Sequence, residues 1–177
     1  SFLNVKLGVG GIREIEFFGQ IFQLIRGGVD HSLKRKKILS ILDVLASEDY
    51  VPENVTWELK SAYIFLRLTE NHIQEYGDAQ THELPGEGYA RTALYVSMGF
   101  ESWDEFEKTL YTHMQRVHEH FSELLADGKN DKKQNDRREQ LENLWKNRVQ
   151  KETGVQILKD AGYSNPEDGF RLLESLR

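Results

Sequence analysis

Two glutamates one residue apart, Glu14 and Glu16, follow an arginine and a glycine-rich turn in the stretch LGVGGIREIEFF, residues 7–18. Carboxylates at this spacing do different chemistry depending on the backbone beneath them. On an extended chain they share a face, and two carboxylates on one face suit a hard divalent cation. On a helix they stand roughly 200° apart, at about 100° per residue. Glu16 then joins Gln20 and Gln23 on a polar stripe, whereas Glu14 lines up with Phe18, Ile21 and Ile25, on or beside the apolar face. An ionised carboxylate there requires a cation or hydrogen-bond donors, although acids in a first helical turn also complement the helix dipole. Gly8, Gly10 and Gly11 admit two readings: a backbone shaped to bring N–H groups onto an anion at a helix N-terminus, or ordinary punctuation before a helix.

Other chemistry-bearing residues read more plainly. His113, His118 and His120 are spaced by five, two and seven residues, not the four that helical metal pairs use, and only His113 and His120 share a face. They read as solvated or partly packed. Arg67, Glu70 and Asn71 are i,i+3 and i,i+4 neighbours, the spacing of a surface pair. Residues 78–85, DAQTHELP, have the composition of a loop. The cluster Lys34-Arg35-Lys36-Lys37 reads as a solvated helix start.

The elements that must position these residues are helical. Residues 2–7 alternate loosely, as a short strand would. From Ile12 the period changes, and Ile15, Phe18, Phe22 and Ile25 form one stripe that Gly27-Gly28 ends. A second helix spans about 36–46, with Ile38, Leu39, Ile41, Leu42 and Leu45. After a break at 51–54, a third runs from about Thr56 to Tyr76, with Leu59, Tyr63, Leu66 and Ile73 inward. A short helix covers about 89–98. Ser102, with Glu105 three positions on, has the form of a capping box. It opens a long helix to about Leu125, with Phe106, Leu110, Met114, Val117, Phe121 and Leu124 on one face. Residues 126–136 form a polar linker. Leu141, Leu144 and Val149 mark a further helix, and two short ones are expected at about 154–162 and 166–176.

Only three prolines among 177 residues favour long helices over a many-turned sandwich. The expected fold is therefore all-α: a helical bundle behind a short N-terminal strand or loop, residues 1–128, with a small helical annex, 129–177. No cysteine occurs, which excludes disulfides and thiolate metal sites and is consistent with a cytoplasmic location. No apolar run reaches 18 residues, so no membrane contact is expected. The net charge of −6 argues against nucleic acid as a partner. The opening Ser-Phe-Leu-Asn runs straight into structured sequence without an initiator Met, as a piece of a longer protein would.

Several segments together resemble one family. Residues 4–17, NVKLGVGGIREIEF, resemble the (N/D)-(I/V)-K-L-G-x-G-G-I-R-E-(I/V)-E-F signature of bifunctional glutamine synthetase adenylyltransferase/adenylyl-removing enzymes. FQLIRGG at 22–28 continues it, Tyr63–Asn71 resembles Y-x-F-L-R-x-x-E-N, and Gln80-Thr81 with Leu84-Pro85 resembles Q-T-x-x-L-P. The matches keep order and spacing over roughly residues 4–125. The adenylylating half of this family typically reads G-G-I-T-D-I-E-F, so Arg13-Glu14 resembles the adenylyl-removing half. The resemblance implies an enzyme that removes AMP from a tyrosine of glutamine synthetase by phosphorolysis, giving ADP, while its other half uses ATP to add AMP. It also implies control by the PII signalling protein and by glutamine, and a requirement for Mg2+ or Mn2+. Related uridylyltransferases read G-G-L-R-D, which aligns their Asp with Glu14. On that basis Glu14, with Glu16 close behind, is expected as a metal carboxylate and catalytic residue. Lys6, Gly10, Gly11 and Arg13 are expected on the phosphate side or as shapers of the loop.

The chain departs from the family by lacking any G-S…D-x-D element, which supplies the other two metal carboxylates. The 177 residues alone are therefore expected to be inactive. The alternative reading is a non-catalytic helical module that docks glutamine synthetase or a PII-type regulator.

Overall fold

The computed structural model describes residues 4–26, 31–34, 37–77, 81–126, 150–160, 166–167 and 170–171. Among them are six α-helices and no strand: α1 (Ile12–Arg26), α2 (Ile38–Ser47), α3 (Glu53–Gly77), α4 (Tyr89–Ser97), α5 (Trp103–Ala126) and α6 (Lys151–Asp160). A short 3-10 turn, His31–Lys34, precedes α2. The all-α expectation holds. The strand expected over residues 2–7 is replaced, in its described part, by one antiparallel bridge between Asn4 and Glu83 and then by turns. The cause is local: the Asn4 side chain accepts from the backbone N–H groups of Lys6 and Leu7 and turns the chain at once.

Helix ends follow side-chain chemistry. Pro52 opens α3, because its carbonyl accepts from Val55 and Thr56, so the helix starts at Glu53, about a turn earlier than the apolar period indicates. Ser102 caps α5 through its Oγ, which accepts from Glu105 N–H at 3.3 Å, and the Glu105 carboxylate reaches back to the N–H of Glu101. Asp49, with φ of 53°, closes α2 in the left-handed region, where Tyr50 and Val51 both donate to the Leu45 carbonyl. The linker expected at 126–136 and the helix around Leu141 and Leu144 lie, past Ala126, outside the described residues.

The chain divides into two compact units. One comprises the residues up to Glu16 with Leu45–His120; the other comprises Phe17–Val44 with the described residues from Phe121 onward. In the first, Val5, Ile12, Ile15, Leu59, Leu66, Leu94, Leu110 and Val117 are buried. An aromatic group joins α3 to α5: Phe65 lies 4.8 Å from the His113 ring and 6.0 Å from Phe106 between centroids, with Phe100 edge-on to both phenylalanines.

In the second unit, Phe17, Ile21 and Leu24 of α1 cluster with Phe121, Leu158 of α6 and Phe170. Phe17 meets Phe121 edge to face at 5.8 Å. Each such burial contributes about 1.5–3 kcal/mol relative to exposure. Gly154 sits inside α6, which begins at Lys151, earlier than expected; a Cβ there would collide with the Phe170 ring. This glycine is a socket for Phe170, not a helix start.

Candidate functional site

The glycine turn is built from the inside. The N–H of Gly8 donates to the Asn4 carbonyl, and that of Gly11 to Gly8, each at 2.9 Å. Ile12, Arg13 and Glu14 then donate to the carbonyls of Val5, Lys6 and Gly11. The N–H groups that open α1 thus bind the turn's own backbone, and this favours loop shaping over anion cradling for Gly11. Gly10 adopts φ of 73°, and a Cβ on it would strike the Met114 backbone of α5. Only glycine meets both demands. The result fixes the first turn of α1 beside both α3 and α5.

Helical geometry separates the two glutamates as the 100° spacing requires. Glu14 reaches α5, its Oε2 lying 3.2 Å from His118 Nδ1. Glu16 reaches α3, where Oε1 accepts from Arg67 at 2.5 Å and lies 3.5 Å from the Tyr63 hydroxyl. Arg67 Nε donates to that same hydroxyl at 3.1 Å. The polar stripe expected for Glu16 is in fact enclosed: its side chain is 15% exposed, against 14% for Glu14. Both faces of α1 meet helices at this turn, so neither acid looks into open solvent.

Behind them stands Glu70, 4% exposed, which corrects the reading of Arg67 and Glu70 as a surface pair. Its Oε2 accepts from Arg67 at 2.7 Å, and its Oε1 lies 3.0 Å from His82 Nδ1 and 3.6 Å from Lys6 Nζ. The connector that carries His82 is held against the N-terminal segment by the Asn4–Glu83 bridge and by Val5 N–H donating to the His82 carbonyl at 2.9 Å. Arg13 is buried in the same neighbourhood. Burial pushes its guanidinium down; Glu16 and Glu70 oppose the shift and Arg67 adds to it. Burial also acts to lower Arg67, but its bonds to Glu70 and Tyr63 and the charge of Glu16 outweigh that and hold it above its usual range. His82 is pushed down by burial and by Lys6, with Glu70 opposing.

Lys6, Arg13, Glu14 and Glu16, singled out by sequence, all belong to this region of the first unit. Glu70 and His118 read from sequence as surface residues and His82 as part of a loop, because the contacts of Glu70 with Lys6 and His82, and of His118 with Glu14, join segments far apart in the chain. The available signal was the shared order of three motif segments, which here touch one another. The helical histidines do not converge: His113 stacks on Phe65, His118 faces Glu14, and His120 Nε2 bonds Glu58 at 2.6 Å. Among the described residues no group of three or more His, Cys, Asp or Glu could hold a metal ion. No helix among them is long and apolar enough to cross a membrane.

Chemically, Lys6, Arg13 and Arg67 gather around Glu16 and Glu70, while Glu14 on the same turn meets His118.

A family model described as GlnD PII-uridylyltransferase matches residues 2–125. Curated relatives named bifunctional glutamine synthetase adenylyltransferase/adenylyl-removing enzyme are similar over 98% of this chain. Those from Nitrosococcus oceani, Thioalkalivibrio sulfidiphilus and Pseudomonas aeruginosa are 42%, 39% and 38% identical to it. The chain spans 18% of the length of each. The match covers the glycine turn, α1, α3, the connector and α5 together, the parts that build the charged cluster. The chain belongs to the GlnD PII-uridylyltransferase family, as a segment whose relatives are bifunctional glutamine synthetase adenylyltransferase/adenylyl-removing enzymes.

Proposed function

We propose that this segment serves an enzyme that removes AMP from a tyrosine of glutamine synthetase and, through a second half, adds it. The observation that carries this is the 38–42% identity to enzymes of that name over 98% of the chain, turn and cluster included. In this reading Glu14 is the carboxylate that α1 offers to a Mg2+ or Mn2+ ion whose other ligands lie outside these residues. Such an ion would neutralise phosphoryl oxygens. Glu14 and Glu16 do not compose a metal site by themselves, since each already has its own partner on a different helix. Glu16 acts through Arg67, fixing α1 to α3. Gly10 and Gly11 shape the turn, and Lys6 with Arg13 supplies positive charge toward phosphate, ADP or ATP. The segment alone is inactive, a cytoplasmic location fits the absence of cysteine, and a PII protein regulates the whole.

The test is Glu14→Ala in the full-length protein, assayed for release of AMP groups from adenylylated glutamine synthetase and for binding to it. Turnover is expected to fall by about 100-fold or more with binding retained; unchanged turnover would falsify the assignment. Phosphorolysis by the purified 177-residue segment would equally sink the claim that it is inactive.

A second reading has one observation in its favour. Trp57, Ile64 and Leu68 recur at helical spacing on α3 and are exposed, Trp57 to 68%. A docking face of a non-catalytic module has this character. Glu14→Ala with intact turnover, together with lost glutamine synthetase binding on Trp57→Ala, would favour it.

A further inference from the structure

The geometry points to Glu70 as a positioning residue that sets Lys6 where it meets inorganic phosphate, an inference resting on the adenylyl-removing reading above. Glu70 is nearly sealed from solvent, yet its carboxylate gathers a basic group from each of three separate segments: Lys6 from the turn, Arg67 from α3 and His82 from the connector. The two oxygens divide the work. Oε2 is taken by Arg67, whose other nitrogen holds Glu16, so this arm ties α3 to α1. Oε1 faces Lys6 and His82.

The Lys6 contact is the longest of the three, 3.6 Å, and the Lys6 side chain keeps 25% of its surface in solvent. The ion pair leaves the three N–H donors of the ammonium able to address an anion. A flexible lysine stem would otherwise sweep a wide volume, and a buried carboxylate at its tip restricts that sweep. Glu70 is too enclosed to meet a substrate itself. Its effect on phosphate must pass through Lys6.

The experiment uses the full-length protein, with inorganic phosphate and adenylylated glutamine synthetase varied separately. Glu70→Gln and Lys6→Met are each expected to raise KM for phosphate by about tenfold, leaving KM for adenylylated glutamine synthetase unchanged. The double variant is expected to be no worse than the poorer single, since both remove one interaction. A fall in kcat with phosphate KM unchanged would mark Glu70 as merely structural and overturn the inference. Lys6 lies at the solvent edge, so Lys6→Met keeps the question decidable even where Glu70→Gln fails to fold. An unaltered phosphate KM in Lys6→Met overturns the inference by itself. Glu14→Ala run in parallel separates the levels. Turnover lost there, with normal phosphate kinetics in Glu70→Gln, overturns this inference alone; no AMP release by the unsubstituted full-length protein removes the adenylyl-removing reading and this inference with it.

Discussion

Helix α1 serves two interiors of opposite chemistry. Its first turn delivers Arg13, Glu14 and Glu16 to a charged cluster; from Phe17 onward it delivers Phe17, Ile21 and Leu24 to an apolar one. The apolar interior tolerates imprecision, since dispersion and burial act without direction. The charged interior does not, because each buried ion must be met by a partner at hydrogen-bond distance. A single helix thus supplies stability at one end and geometry at the other.

Four measurements bear on that contrast. The largest effect is expected in the apolar interior: Phe170→Ala should cost about 3–5 kcal/mol in denaturant unfolding, because the ring fills the socket at Gly154. A loss below about 1 kcal/mol would mean that Phe170 is not integral to this core. Next comes Gly10→Val, expected to cost roughly 3 kcal/mol from its left-handed backbone and the collision with α5. A melting temperature equal to wild type would show that the turn can be rebuilt.

In the charged interior, Arg67→Met and Glu16→Gln should each cost about 1–3 kcal/mol, discounted for the partial exposure of Arg67. The pair removed together should cost less than the sum of the singles, with a coupling of roughly 0.5–3 kcal/mol. Additive losses would contradict the directed pairing described for Glu16. The smallest effect concerns pH. Burial pushes His113 below its ordinary value. As pH falls below about 6.5 the unfolded chain binds a proton at this position first, so stability declines until the lowered native value is passed, then levels off. His113→Phe should flatten that decline, and a wild-type profile in the variant would place the acid sensitivity elsewhere, with His82 the next candidate by the same sign.

The contrast also explains what could be read from sequence. Ile15, Phe18, Ile41, Leu42, Leu59, Leu66 and the α5 stripe from Phe106 to Phe121 are buried as their spacing indicates. Periodicity reports local geometry, and burial is a property of one face. The phase of Glu14 was legible for the same reason. The helix start at Glu53 was not, because Pro52 reads as a break until its carbonyl is seen to accept the first helical bonds. Nor was Gly154, whose role depends on Phe170. The partners of Glu70 were hidden most deeply. At i,i+3, Arg67 and Glu70 look like an exposed pair, and nothing local in Lys6 or His82 says that both approach the same carboxylate. Resemblance named the segments without revealing that they meet.

The backbone link from Val5 to His82 has a kinetic side. It closes a loop that contains all of α1, α2 and α3, and its cost is the chain entropy of bringing distant segments together, repaid only when both have formed. Helices and neighbouring apolar contacts require no such closure and arise sooner. The pairing that brings His82 to Glu70 is therefore expected among the later steps of folding. The charged cluster would be completed only on a scaffold already in place, so that the chain acquires its shape before its chemistry.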